Sequence, residues 1–125
     1  MSNQMNKFII LFLVIIFYGC SKSLDIQLEP EVSVYLSKES KKSFRITQKN
    51  EAYTKLNQWL VNNKANWYAT SGRYPGGVYV KSGNFGIQIT KTKVIIYSTA
   101  NKDIKAIYAQ ELKSGELNSI LNYSE

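Results

Sequence analysis

The chain has 125 residues, with 16 Lys and Arg against 9 Asp and Glu, a formal charge of +7, one Cys and no His. That length sets a single small domain as the expectation. Without histidine or a second cysteine, zinc sites built from those ligands are excluded, as are Ser-His-Asp and Cys-His catalysis, which need imidazole as the base. Only Arg45 and Arg73 carry guanidinium groups; the other basic residues are Lys. Readers of nucleic acid favour the planar arginine fork, so no nucleic-acid partner is expected. Lys, Asn, Ile and Tyr are all abundant, as an AT-rich coding bias produces. The alternative meaning of the charge is attraction to an anionic surface, worth about 1 kcal/mol per well-placed cation.

The chain opens with polar residues ending in Lys7, followed by the unbroken apolar run "FIILFLVIIF" from Phe8 to Phe17, then Tyr18, Gly19 and Cys20. A charged start, a short apolar stretch and a small residue at the cut form the order of an export signal. As a helix, Phe8 to Gly19 rises about 18 Å, short of a hydrocarbon core of about 30 Å. Met5 is an alternative start, because a complete short signal follows it. Gly19-Cys20 after this run resembles a bacterial lipoprotein signal peptide, over residues 1 to 22 only. Phe17 stands where Leu is commonest, and Tyr18 where a small residue is usual. The resemblance implies a diacylglyceryl group on the Cys20 thiol, cleavage before Cys20, and a mature charge of +6 from 15 basic and 9 acidic residues. Ser21 after the cysteine, rather than Asp, implies the outer membrane facing the periplasm under enterobacterial-type sorting. Each buried acyl CH₂ contributes about 0.8 kcal/mol, and two or more chains anchor stably.

The organisation read from the sequence is a signal over 1–19, a lipidated N-terminus and tether over 20–32, and a small domain over 33–125. Pro30 breaks any helix in the tether. "SVYLS" and "SFRIT", separated by "KESKK", predict a hairpin. In "QKNEAYTKLNQWLVNN", Ala52, Leu56, Trp59 and Leu60 share one face of a 3.6-residue period, with Thr47 or Asn50 as cap and Asn62 and Asn63 at the end. The period then becomes two. "NWYAT", "VYVKS", "FGIQITK" and "VIIYST" read as an antiparallel meander over 66–99, with Pro75-Gly76 in a type II turn and Gly83-Asn84 in a tight one. "DIKAIYAQEL" reads as a strand, with a helix as the alternative. "SGELNSILN" reads as a short helix capped by Ser114, with Leu117, Ile120 and Leu121 on one side. The expected fold is α+β: a single antiparallel sheet made of the hairpin and a three- to four-stranded meander, with helices on one face.

No Gly-x-Ser-x-Gly elbow, Ser-x-x-Lys pair or phosphate-binding loop is present. The acids fall mostly at segment ends and on polar faces, so no enzyme, metal or cofactor is expected. A carboxylate-based hydrolase is the least favoured alternative. Two places carry contact chemistry. The turn "GRYPGG" presents Arg73 and Tyr74, residue types enriched at interface hot spots. Tyr79, Lys81, Gln88 and Thr90 fall on the strand face opposite the apolar one. Trp59 and Trp67 are expected in the core. The functional expectation is a non-catalytic, lipid-anchored envelope protein that binds a macromolecular partner, such as an immunity or inhibitor protein against a periplasm-acting toxin. A structural or accessory subunit of an envelope machine is the alternative.

Overall fold

The computed structural model describes residues 21–36, 43–70, 74, 76–98 and 107–124. The apolar run, Cys20, Arg73 and Pro75, and with them the expected signal, lipid site and turn type, lie outside the described residues. The elements are β1 (Ser21–Lys22), β2 (Glu31–Tyr35), β3 (Ser43–Thr47), α1 (Glu51–Asn62), β4 (Trp67–Thr70), β5 (Val78–Ser82), β6 (Phe85–Ile89), β7 (Lys93–Ser98), β8 (Ile107–Glu111) and α2 (Asn118–Leu121), with a 3₁₀ turn at Asn122–Ser124. All eight strands form one antiparallel sheet in the order β1-β4-β8-β7-β6-β5-β2-β3. The described residues are mostly sheet, with two short helices.

The predicted hairpin is β2–β3, paired from Glu31↔Thr47 to Tyr35↔Ser43. The meander is β5–β6–β7–β8. β4 does not belong to it: it pairs with β8 and β1, with three strands between it and β5. The connection from Thr70 to Val78 makes this possible. Its seven residues reach about 25 Å when extended, enough for four strand spacings of about 4.8 Å. Gly76 and Gly77 carry it into β5 at φ of 83° and 87°. Gly77 has no alternative, because a Cβ there would fall on the backbone of Ile89. Residues 107–111 are a strand, not a helix.

Alternation sorts the sheet into two faces. Val34, Val80, Ile87 and Ile96 lie in one cross-strand row, and Val78, Ile89 and Val94 in the next. These residues join Ala52, Tyr53, Leu56, Trp59 and Leu60 of α1, together with Leu117 and Ile120, in a single core. Fully burying one such aliphatic side chain contributes about 1.5–3 kcal/mol. The two tryptophans couple the end of α1 to β4. Their rings meet edge to face at 5.9 Å, Trp67 Nε1 donates to Asn63 O, and Asn63 Nδ2 donates to Trp59 O.

Three expectations are corrected. The segment over 21–32, expected as a tether, is part of the domain. Ser21 and Lys22 pair with β4, Leu24 N donates to Lys64 O, and Ile26 is in the core with Leu24 and Leu28 packed against it. Asn50 holds the N-cap position of α1, but its side chain accepts from Thr47 N and so bonds backward, out of the helix. Ser114 does not cap α2, whose N-cap position is Leu117. The preceding turn is closed instead by Glu116, which accepts from Lys113 N, and by Gly115 at φ 89°.

Candidate functional site

The second face of the sheet is built around tyrosine. One cross-strand row runs Tyr35, Tyr79, Gln88, Ile95, Ala109, Tyr68, and the next runs Arg45, Ser33, Lys81, Gly86, Tyr97, Ile107. Of the residues expected on this face, Tyr79, Lys81 and Gln88 are there, with Tyr79 directly opposite Gln88 and Lys81 opposite Gly86, while Thr90 lies past the end of β6 in the turn to β7. Tyr74 joins them from the connection between β4 and β5. Arg73, its predicted companion, lies outside the described residues.

Gln88 is not a solvent-facing contact. It is 6% exposed, and its amide nitrogen donates toward Tyr74 O at 2.6 Å, Gly76 O at 2.8 Å and the Tyr79 hydroxyl at 3.2 Å. An amide nitrogen has two hydrogens, so these three acceptors share them. The approach to β5 brings the Tyr74 and Gly76 carbonyls to this amide, and these backbone acceptors need a donor, which Gln88 supplies. It holds Tyr74 against the face and thereby acts on the contact surface without being part of it.

Tyr97 covers the centre. It lies across from Gly86, and a Cβ at Gly86 would come within 2.2 Å of its ring. The missing side chain is what lets the ring lie flat on the neighbouring strand. Burial first, and the nearby Tyr79 second, push the Tyr97 phenol above its ordinary pKa. At one side, Lys93 Nζ donates to the Tyr68 hydroxyl at 3.1 Å and to Glu111 at 3.0 Å, while Tyr68 donates to Glu111 at 3.0 Å. The same ammonium stands 5.1 Å from the Tyr74 ring and 5.7 Å from the Tyr68 ring, both within cation–π range. The Tyr68 hydroxyl first, and then Glu111, hold Lys93 well above the usual lysine range, and Lys93 holds Glu111 below the usual carboxylate range. This closed ring of hydrogen bonds positions the Lys93, Tyr68 and Glu111 side chains against one another.

Lys81 is different. It is exposed, and no acid pairs with it among the described residues. Arg45, in the same row, is bonded to Glu31 at 3.0 Å. Among the described residues the face therefore presents one uncompensated cation beside the half-buried rings of Tyr35, Tyr79 and Tyr97. Tyr35, Tyr68, Tyr97 and Lys93 were not singled out from the sequence. Their signal was the alternation in "SVYLS", where Val34 turns in and Tyr35 out. In "VIIYST" a nearly continuous apolar run hid Tyr97 on the second face.

Among the described residues, no cluster of three or more acids or cysteines could hold a metal ion, and no helix is long and apolar enough to cross a membrane. Comparison with protein-family models, curated proteins and solved structures gives no match for this chain.

Proposed function

We propose that this protein is a non-catalytic binding module of the bacterial envelope, anchored by lipid on Cys20 and facing the periplasm, whose tyrosine face docks an acidic protein partner. The observation that carries the docking is the row of phenols around unpaired Lys81. Tyrosine offers a large apolar ring with a hydroxyl at its tip and little entropy to lose on binding, and it is enriched at interface cores. An unpaired cation among such rings favours an anionic group on the partner. We take both helices to cover the aliphatic face, whose rows supply the sheet residues of the core, so that the tyrosine face stays open. Small size, tethering and a docking face fit an immunity or inhibitor protein that neutralises a periplasm-acting toxin. The anchor rests on the apolar run and Gly19-Cys20. Because Ser21 is already paired with Tyr68, an anchor at Cys20 holds the β1 edge at the bilayer with no spacer, so the partner would be met at the membrane surface.

Crosslinked capture of the tagged full chain from its native envelope tests this reading. A specific protein should be recovered with wild type and lost, by about tenfold or more, with Tyr79→Ala combined with Lys81→Glu. The Cys20→Ala chain should leave the membrane fraction. Undiminished capture by the double variant removes the tyrosine face from the proposal, and membrane retention of Cys20→Ala removes the anchor.

A further inference from the structure

A second concavity, of about 640 Å³, opens where the approach to β5, the Thr90–Thr92 turn and the C-terminal segment meet. That volume lies within the range of small-ligand sites. Among the described residues its lining has no carboxylate: Tyr74 borders it, Ser114, Asn118 and Asn122 supply neutral polar groups, and Lys91 is the one cation. Gly76 adds bare backbone, since nothing stands within 4 Å of where its Cβ would be.

Each wall is fixed before any ligand arrives. Gln88 ties down Tyr74 O and Gly76 O. The Thr90 hydroxyl accepts from Lys93 N at 3.0 Å, and Thr90 N donates to Lys93 O at 2.9 Å. Leu112 N donates to Thr92 O at 2.8 Å, and fully buried Leu117 and Ile120 seat the C-terminal wall. By contrast, the amides of Asn118 and Asn122 are exposed and make no hydrogen bond among the described residues. Amides and hydroxyls both donate and accept, which suits a ligand whose own groups do the same, and a ring beside them suits an apolar C–H face. Among the described lining residues an anion would find one lysine and a cation no acid.

We propose that this groove binds a neutral oligosaccharide, with its pyranose C–H face on Tyr74 and its hydroxyls on the Asn118 and Asn122 amides. Walls set in advance lower the ordering cost of binding. The site stands apart from the protein-docking reading, although Tyr74 borders both surfaces.

Saturation-transfer NMR on the full chain, in a detergent without sugar headgroups, tests it with chitotetraose and cellotetraose as probes. Saturable transfer to ring C–H protons of at least one probe is expected. Tyr74→Ala should weaken it about tenfold, equivalent to about 1.4 kcal/mol, Asn118→Ala should weaken it severalfold, and Tyr74→Phe should keep it. Lys81→Glu should leave it unchanged, which separates this site from the docking face. Asn118 is exposed, so its variant reports on binding even if Tyr74→Ala perturbs the fold. Absence of saturable transfer from both probes overturns the proposal. So does binding indifferent to both Tyr74→Ala and Asn118→Ala, or inorganic phosphate binding at the groove when neither sugar does.

Discussion

The same strands present two unlike surfaces. On β5, Val78 and Val80 turn one way and are fully buried, while Tyr79 and Lys81 turn the other way and are not. On β6, Ile87 and Ile89 are in the core, whereas Gly86 and Gln88 underlie tyrosines. Both faces exclude water from their centres, but by different means. The aliphatic face does it with interlocked side chains from helix and sheet. The tyrosine face does it with rings laid across strands, their polar edges at the surface. The first arrangement is chiefly aliphatic and serves stability. The second retains hydroxyls, an ammonium and ring surface that a partner can use. Stability and recognition are thus divided between alternate residues of one sheet.

If that division holds, the largest stability losses come from the aliphatic side. Trp67 is 1% exposed and joins β4 to the end of α1 through Trp59 and Asn63. Trp67→Ala removes the ring, its edge-to-face contact and its hydrogen bond to Asn63 O. A loss of about 3–5 kcal/mol is expected, measured by urea unfolding. A loss under about 1 kcal/mol would mean that β4 is not coupled to the core.

A smaller effect sharpens the comparison from the other side. Gly86→Ala puts a methyl group where the Tyr97 ring lies, so the ring must lift off the strand. Overpacking of this kind costs about 1–3 kcal/mol. In a Tyr97→Ala background the clash is gone, and Gly86→Ala should instead stabilise by about 0.5–1 kcal/mol, since glycine is a poor strand residue. A double-mutant cycle by thermal melting measures the coupling. Additive effects would show that Tyr97 does not cover Gly86.

The two faces were legible in different degrees. Strict alternation in "VYVKS" and "FGIQI" assigned β5 and β6 correctly, because one aliphatic face of a sheet imposes a period of two. The position of β4 was not legible, since placing three strands between it and the meander's first strand depends on where a seven-residue connection lands, and local periodicity does not encode that. The packing of 21–32 left a trace that Pro30 obscured: Leu24, Ile26 and Leu28 alternate, and all three touch the core although they lie between β1 and β2 and are not strand. Tyr79 and Lys81 were placed correctly by period. Gln88 was placed on the right face with the wrong exposure, because the chain that buries it arrives from elsewhere in the sequence.

The smallest predicted effect depends on pH. Burial, with Tyr79 nearby, raises the Tyr97 pKa in the folded protein, so the folded state holds that phenolic proton more tightly than the unfolded chain does. The associated stability is complete below the unfolded tyrosine value of about 10 and is lost as pH rises from there through the higher folded value. Tyr97→Phe removes the titrating group while keeping the ring over Gly86. The variant should match wild type within about 0.5 kcal/mol near pH 7, because no hydrogen bond to the Tyr97 hydroxyl is made among the described residues. Above about pH 10 its stability should fall less steeply than that of wild type. Lys93, also raised in the fold, contributes to the alkaline decline of both proteins and cancels in the difference. Urea midpoints for the pair between neutral and strongly alkaline pH measure it, and parallel curves would place Tyr97 in water, leaving the centre of the second face uncovered.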